Sequence, residues 1–261
     1  MKKLLMALLA AAATLAAAPC RADLQDEIQV YDDAINEPRE LGLELHVNTT
    51  PSGRRSSNYP GEVPPIHALR LTPEFSWGLT KTVELGLYIP TVLKPNGVYD
   101  MAGGKLRLKW LPLQPQDGRG PFAGVNFELS RLAFRYSESR VTGESRFIFG
   151  WRDPVWLVAV NPILGYSLSP GFRGRPDFDL GVKVSHRITE GIAGGVELYN
   201  GLGQLGRTLP WQQQDNRIFF TLDVDRKPLP FNIGVGYGLT RAADRWTIKA
   251  IFEVPMPQFA R

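Results

Sequence analysis

Apolar and polar residues alternate with a period of two along most of this chain. In the stretch from Phe231 to Leu239, every second residue is large and apolar, and the residues between them are Asn or Gly. The stretch from Arg245 to Val254 alternates in the same way after a short polar connection. Successive side chains of a β-strand point to opposite faces, so each stretch predicts a strand with one apolar face. Together they predict a β-hairpin.

The same alternation predicts ten more strands between Glu40 and Val224, which makes twelve. Each is near the ~9 to 11 residues with which a tilted strand crosses a bilayer. The stretch from Val155 to Tyr166 is apolar on both faces, and the connection after the fifth predicted strand is ambiguous, so ten or fourteen strands remain alternatives. We predict an all-β fold, a single closed antiparallel transmembrane β-barrel of about 12 strands.

Connection lengths favour a membrane barrel over a soluble β-sandwich, which shows the same alternation. Long connections alternate with short turns, as in outer-membrane barrels, and this pattern places both ends of the barrel chain on the periplasmic side. No stretch after residue 22 approaches the ~18 consecutive apolar residues of a membrane-spanning helix, and an open sheet edge is unstable in lipid. The long connections are residues 50–65, 93–100, 133–143, 169–176 and 201–215.

Four tryptophans fall at strand ends on the predicted periplasmic side. Indole rings prefer the membrane–water interface, so the four predict one aromatic girdle in contact with outer-membrane lipid. The alternative is that large aromatic residues cap one end of a soluble barrel. These membrane-interface candidates are Trp77, Trp110, Trp151 and Trp156.

The first 22 residues have the layout of a secretory signal peptide. Lys2 and Lys3 precede an apolar run from Leu4 to Ala18, and the small-residue site Cys20-Arg21-Ala22 predicts cleavage after Ala22. A lipid-modified Cys20 is the alternative, which the preceding proline fits poorly. We therefore predict export by a cleaved signal peptide, with insertion into the cell outer membrane by the barrel-assembly machinery.

Charge and cysteine content exclude two classes of function. Removal of Lys2, Lys3 and Arg21 lowers the 30 basic residues to 27, against 26 acidic ones, so the mature chain gives no support for nucleic-acid binding. Cys20 is the only cysteine and leaves with the signal peptide. The mature protein is predicted to have neither disulfide nor thiol chemistry.

Residues 23–39 are polar and acidic, and they precede the predicted barrel of residues 40–261. We interpret them as a polar N-terminal extension in contact with solvent. Asp32, Asp33 and Glu37 lie close together in it and could bind calcium, although their spacing matches no known calcium loop.

The polar face of the predicted strands supplies the lumen of the barrel. Acidic and basic side chains nearly balance there, so charge alone predicts little ion selectivity. The lumen-facing candidates are Glu44, His46, Arg70, Glu74, Glu84, Lys105, Arg107, Lys109, Glu128, Lys183, Glu197, Arg217, Asp223, Lys249 and Glu253.

Lys105, Arg107 and Lys109 form a basic ladder on one predicted strand. The ladder could attract anions along a pore. It could equally pair with Glu84 and Glu128 on the neighbouring strands, because opposite charges commonly face each other across a sheet. We favour the pairing interpretation.

The sequence contains no convincing catalytic pattern. His46 lies beside Glu44 and Asn48, and a membrane-embedded lipid hydrolase that uses His46 with a serine is the enzyme hypothesis. The glycines from Gly234 to Gly238 resemble a nucleotide loop, but no helix follows to receive a phosphate. We predict that the protein is not an enzyme and uses neither a cofactor nor a metal.

Several short segments resemble one family of outer-membrane barrels, named for the meta-pathway of phenol degradation. The resemblance covers nearly the whole mature chain and implies a transporter-like function. It suggests passive passage of a small-molecule solute, with aromatic or hydrophobic compounds as candidates. A non-conducting structural or surface-binding barrel is the alternative, and the oligomeric state remains open. The segments are Glu27–Tyr31, Glu44–His46, Asn161–Ile163, Gly195–Tyr199, Gly201–Gly203, Gly234–Thr240 and Asp244–Lys249.

Overall fold

A computed structural model describes residues 25–172 and 174–256, and the predicted signal peptide lies outside these residues. Nearly all regular structure in these two ranges is β-strand, with one 3-10 turn at Trp211–Gln213. No helix of the described residues is long and apolar enough to cross a bilayer. The strands are β1 Leu41–Ser52, β2 Leu69–Gly78, β3 Val83–Tyr88, β4 Thr91–Leu93, β5 Tyr99–Met101, β6 Gly103–Leu113, β7 Gly120–Leu132, β8 Val141–Arg152, β9 Trp156–Ser167, β10 Asp177–Thr189, β11 Ile192–Gln204, β12 Arg207–Thr208, β13 Asp215–Val224, β14 Phe231–Gly238 and β15 Trp246–Glu253.

The sheet closes on itself at β1. Val47 pairs with Ala250 of β15 on one side and with Leu71 of β2 on the other, and neighbouring strands around the ring are antiparallel. β3 and β4 both pair with β2, so they form one barrel strand, and β5 and β6 form the next. Because β12 only extends a hairpin with β11, the ring has twelve strands. The predicted fold class is confirmed.

The two faces of the barrel differ in polarity. On β3 and β6, the outward leucines are 39–59% exposed, whereas the inward Glu84 and Arg107 are 4% and 6% exposed. The outward face is therefore an apolar band of the kind that contacts lipid. The leucines are Leu85, Leu87, Leu106 and Leu108.

The two ends of the barrel differ in the connections that they carry. We call the end with the generally longer connections the long-loop end and the other the short-turn end. The long-loop end carries residues 53–68, 94–98, 133–140, 168–172, 174–176, 205–214 and 239–245. The short-turn end carries residues 79–82, 114–119, 153–155, 190–191 and 225–230.

All four tryptophans of the predicted girdle lie at the short-turn end, pointing outward. Their exposed fractions are 42–49%. Trp156 also packs edge-on against His186 of the neighbouring strand, with ring centroids 4.4 Å apart. In the turn that joins β8 to β9, the backbone N–H groups of Trp156 and Val155 donate to Asp153 and hold the pKa of its carboxyl below the ordinary value. The four are Trp77, Trp110, Trp151 and Trp156.

Residues 25–37 run through the inside of the barrel, and we call them the luminal segment. Asp26 is 1% exposed, and Val30 and Tyr31 are each 3% exposed. The interpretation of this region as solvated is therefore wrong for the luminal segment. A polar segment can form hydrogen bonds with a charged lumen as well as with water, so composition alone does not separate the two.

The luminal segment also explains the strand that is apolar on both faces. β9 directs Ala159 and Leu157 inward, where they pack against Val30 and Tyr31 of the segment. Large apolar side chains from β6, β7 and β8 complete this cluster, so the lumen contains a small hydrophobic core near the short-turn end. These side chains are Leu111, Phe122 and Ile148.

Candidate functional site

Cationic side chains of the wall hold the luminal segment at the long-loop end and at mid-height. Lys105 Nζ lies 2.7 Å from Asp26 Oδ1. Lys249 Nζ donates to the backbone carbonyl of Ile28 at 3.0 Å, and Arg146 Nη1 donates to that of Gln29 at 3.0 Å. The wall therefore satisfies backbone groups of a segment that has no strand partner.

Tyr31 is the most completely enclosed part of the luminal segment. Asn161 accepts from the Tyr31 backbone N–H at 2.6 Å and donates to its carbonyl at 3.0 Å, so one side chain substitutes for a strand neighbour. The Tyr31 hydroxyl lies 2.7 Å from the hydroxyl of Tyr88. The Arg146 guanidinium lies 4.5 Å from the centre of the Tyr31 ring, within cation–π distance.

Polar contacts also fix the luminal segment where it leaves the lumen. Lys109 Nζ donates to the Ala34 carbonyl at 2.5 Å, and Arg152 Nη2 lies 2.6 Å from Asp33 Oδ1. Asn36 donates from its backbone to Glu84 and from its side chain to Ser76, each at 2.8 Å.

Gly78 allows the chain to turn from the luminal segment into β1. A methyl group at this position would lie 2.1 Å from the Glu37 carbonyl oxygen. We expect Gly78→Ala to lower the free energy of unfolding by about 1–3 kcal/mol, because backbone must move. Urea unfolding in detergent, followed by heat-dependent gel mobility, measures the change.

Gly104→Ala is the matched control, because the nearest atom to a methyl group there is 3.7 Å away. Its stability should stay within ~0.5 kcal/mol of wild type. Equal losses in the two variants would contradict the close approach at Gly78.

Ion pairs within the wall connect neighbouring strands. Arg107 Nη2 lies 2.8 Å from Glu74 Oε1 and 2.6 Å from Glu84 Oε1. Lys249 Nζ lies 2.5 Å from Glu197 Oε2. These carboxylates and cations are all less than a tenth exposed, so their charges are neutralised mainly by one another and not by water.

The basic ladder contacts different partners at each of its three positions. Arg107 pairs with Glu84, as the pairing interpretation predicts. Lys105 instead pairs with Asp26, and Lys109 donates to a backbone carbonyl, both in the luminal segment. The ladder therefore holds the segment as well as the wall.

The structure places most other predicted lumen residues on the inward wall. Lys183 Nζ lies 3.0 Å from Asp223 Oδ1 and 3.7 Å from Glu197 Oε1. Arg217 pairs with Asp215. Glu128 is buried beside Asn126, and Glu253 is exposed near the short-turn end, opposite Glu44 in the strand register.

His46 sits in a carboxylate cluster. Its Nε2 lies 3.0 Å from Glu74 Oε2 and 3.6 Å from Glu44 Oε2. The donor atoms of the three residues all lie within 4.8 Å of one another, a spacing that a divalent ion could use. Arg107 already neutralises Glu74, so the cluster fits an ion-pair network better than a metal centre. Within the described chain, the partners of the His46 ring are these carboxylates rather than a serine.

Sequence reasoning missed the tyrosines and asparagines that line the lumen. Tyr88 and Asn126 are fully buried, and Asn161 is 1% exposed. For Tyr88 and Asn126 the signal was present in the alternation, because both fall on the polar face of a predicted strand. Asn161 lies in the stretch that is apolar on both faces, so the alternation gave no such signal for it. Only charged residues and His46 were singled out there.

A cavity of about 870 Å³ opens at the long-loop end, and we call it the vestibule. Its floor includes Gln25 of the luminal segment. Tyr136 lines one side, and burial together with the hydrogen bond that it donates to Asp100 raises the pKa of its hydroxyl. Six arginines line the vestibule, against the acids Glu62, Asp215 and Asp244. The arginines are Arg54, Arg55, Arg70, Arg217, Arg241 and Arg245.

Comparison with known proteins identifies relatives by fold only. No protein-family model and no curated protein sequence matches the chain. Among solved structures, the COG4313 outer membrane channel from Pseudomonas putida F1 superimposes with a TM-score of 0.58 at 11% identity, covering 87% of this chain and 99% of that one. The KdgM porin gives 0.55 at 9% identity, covering 83% and 99%.

A third solved structure, the NanC porin, superimposes with a TM-score of 0.52 at 10% identity and covers 82% of this chain and 100% of that one. Identities this low show the fold alone. The chain therefore has the closed-barrel fold of outer-membrane porins and channels.

Proposed function

We propose that the chain is an outer-membrane channel for the passive passage of small solutes, and that the luminal segment controls this passage. The observation that carries the proposal is an 870 Å³ vestibule leading into a polar lumen that is occupied by residues 25–37. The segment is held by hydrogen bonds, ion pairs and one small apolar cluster, and none of its residues belongs to a strand. The luminal segment can therefore move out of the lumen without disrupting the strand pairing that closes the barrel.

We also propose a location and an orientation for the barrel. Residues 1–22 direct export and are cleaved, and the barrel-assembly machinery inserts the barrel with its long-loop end outside. The outward apolar band and the tryptophans at the short-turn end support this placement, because both are features of barrels in lipid.

Aromatic or hydrophobic compounds are the proposed solutes, and the family resemblance supports them. Three segments that carry the resemblance contact the luminal segment or its anchors. Asn161 binds Tyr31, Lys249 binds Ile28, and Glu197 binds Lys249. The shared motifs therefore coincide with the elements that hold the lumen closed.

A non-conducting structural barrel is the second candidate, and the occupied lumen favours it. Conductance separates the two, because a permanently closed barrel passes no current. A fold neighbour described as the KdgM porin in complex with disordered oligogalacturonate supports solute passage, since a barrel of this fold can hold a solute.

Asn161→Ala tests whether the luminal segment controls passage. The substitution removes both hydrogen bonds to the Tyr31 backbone. At about 0.5–1.5 kcal/mol each, their loss weakens the closed state by about 1–3 kcal/mol and should raise the fraction of time that the channel is open by about 5- to 150-fold. Single-channel recording in planar bilayers measures this fraction.

Asn126→Ala is the control for this experiment. Asn126 is also a buried inward asparagine, but the hydrogen bond that it donates goes to Glu128 of its own strand. It should leave the open fraction unchanged. Indistinguishable recordings from the two variants would remove the Asn161 contact from the gating mechanism.

A further inference from the structure

We infer that the vestibule is a binding site for small organic carboxylates with an apolar body, and that Arg70 binds the carboxylate. Binding of the carboxylate does not depend on the proposed function. Only the further step, that the bound carboxylate is also a transported solute, rests on it. It is carried by an arginine without an ionic partner, by the charge balance around it and by the apolar wall beside it.

Arg70 is buried and has no carboxylate of the described residues within ion-pair distance, although the charges of Asp244 and Asp26 act on it from farther away. Its side chain lines the vestibule, and the residue is 3% exposed. Nη2 donates to the Pro65 carbonyl at a long 3.4 Å, and Nη1 is buried with no hydrogen-bond partner. Within residues 25–172 and 174–256, no carboxylate forms an ion pair with it. A buried guanidinium in this state is costly unless an anion joins it.

Two of the three acids nearby form ion pairs with other arginines, and the third accepts a hydrogen bond from the backbone. Glu62 receives both terminal nitrogens of Arg54, at 2.8 and 2.7 Å. Asp215 pairs with Arg217, and Asp244 accepts the Arg54 backbone N–H at 3.0 Å. The arginines of the vestibule outnumber its acids six to three. Among the described residues, four of the six arginines form no ion pair, and three of these four, Arg55, Arg241 and Arg245, are exposed to water. Arg70 is the buried one, so it gains most from an anion that enters the vestibule.

An apolar wall adjoins Arg70. Ala68 and Val92 are 2% and 1% exposed and pack with Tyr136 and Val63, and all four also line the vestibule. A ligand with its carboxylate on Arg70 can therefore place its carbon skeleton against this cluster. A cavity of about 870 Å³ has room for a benzoate-sized molecule.

Guanidinium chemistry selects a carboxylate. The planar fork of arginine matches two carboxylate oxygens in a bidentate pair, and burial strengthens charge-assisted hydrogen bonds. The apolar wall disfavours a fully hydrated inorganic anion such as sulfate. The structure thus combines two recognition elements, one for the charged group and one for the apolar body.

Isothermal titration of the folded barrel in detergent with benzoate tests the inference, with benzyl alcohol as the neutral analogue. We expect benzyl alcohol to bind at least about 10-fold more weakly than benzoate. Arg70→Gln should weaken benzoate binding by about 10- to 100-fold, because one charge-assisted pair is lost. Arg70→Lys keeps the charge without the fork and should give an intermediate loss.

Arg241→Gln is the matched control, since it removes the same charge from an exposed position in the same vestibule. It should change benzoate affinity less than about three-fold, as expected for a screened surface charge. Equal binding of benzoate and benzyl alcohol, equal losses in the Arg70 and Arg241 variants, or displacement of benzoate by equimolar sulfate would each overturn the inference. The first and third comparisons use only the wild-type chain, so they remain decisive if an Arg70 variant does not fold.

Equilibrium binding of benzoate does not require that any solute passes through the barrel. The channel function and the carboxylate site can therefore be contradicted independently of each other. A barrel that conducts but does not bind benzoate overturns this inference alone. A barrel that binds benzoate and never conducts overturns the channel function and leaves the site in place.

Discussion

Deletion of residues 25–36 is expected to convert a mostly closed barrel into one with a several-fold larger single-channel conductance. The deleted residues fill the lumen from the vestibule floor to the contacts of Asn36 with Ser76 and Glu84. Without them, water replaces the segment beside cations such as Lys105 and Arg146. The ring itself should persist, because strand pairing between β1 and its neighbours does not involve the deleted residues.

The deletion should also change ion selectivity in a fixed direction. It removes four acidic residues and no basic one from the lumen. The reversal potential under a salt gradient should therefore move toward that of an anion-selective pore. The four are Asp26, Glu27, Asp32 and Asp33.

A control variant that removes only the negative charges distinguishes the effect of the segment's bulk from the effect of its charge. Replacing the same four acids with their amides leaves the chain in the lumen, so it should shift selectivity with a much smaller rise in conductance. Heat-dependent gel mobility checks that both variants fold. A folded deletion variant with wild-type conductance would show that the luminal segment does not limit passage.

Arg107→Met is expected to cause the largest loss of stability of any single substitution considered. Arg107 joins β6 to Glu74 of β2 and Glu84 of β3, and all three residues are at most 6% exposed. Removing the cation leaves two buried carboxylates without their partner. Breaking a buried ion pair from one side costs about 3–5 kcal/mol, so we expect a loss in this range in the free energy of unfolding.

Arg135→Met is the control for Arg107→Met. Arg135 also forms an ion pair, 3.1 Å from Asp100, but its side chain is 49% exposed. Such surface pairs contribute less than about 1 kcal/mol, so this variant should unfold close to wild type. Urea titrations in one detergent compare the two. A loss below about 1 kcal/mol in both variants would show that the lumen is wet enough to solvate Glu74 and Glu84.

The barrel was predictable because lipid and the lumen impose opposite polarities on alternate residues. From Leu41 to Glu253, strand positions could be assigned from a period of two, and the outward leucines and tryptophans follow from the same pattern. The ion-pair partners of the lumen side chains were harder to predict from the sequence. The sequence places Lys105 near Glu84 and Glu128, yet its ion pair is with Asp26, more than 70 residues away along the chain.

The luminal segment could not be predicted from its own composition. Its acidic residues suit water as well as a lumen that contains unpaired cations. The sequence nevertheless carried an indirect signal in β9, where Leu157 and Ala159 make the inward face apolar. A strand with two apolar faces needs an apolar partner inside the barrel, and Val30 and Tyr31 supply it.

The proposed anion site shows a similar limit. Arg70 was identified as a lumen residue from its place in the alternation. Its lack of an ion-pair partner among the described residues depends on how Arg54, Glu62 and Asp244 of distant loops are arranged. No local pattern encodes such an arrangement, because loops lack the periodicity that fixes strand side chains.

Single-channel recording of the wild-type mature chain, refolded and inserted into a planar bilayer, shows whether the barrel is a channel that the luminal segment closes. We expect long closed periods interrupted by rare, discrete openings of reproducible size, because the luminal segment occupies the lumen but has no strand partner. A steady large conductance would contradict occlusion by the luminal segment. Complete silence from a barrel with the gel mobility of the folded state would contradict the channel function.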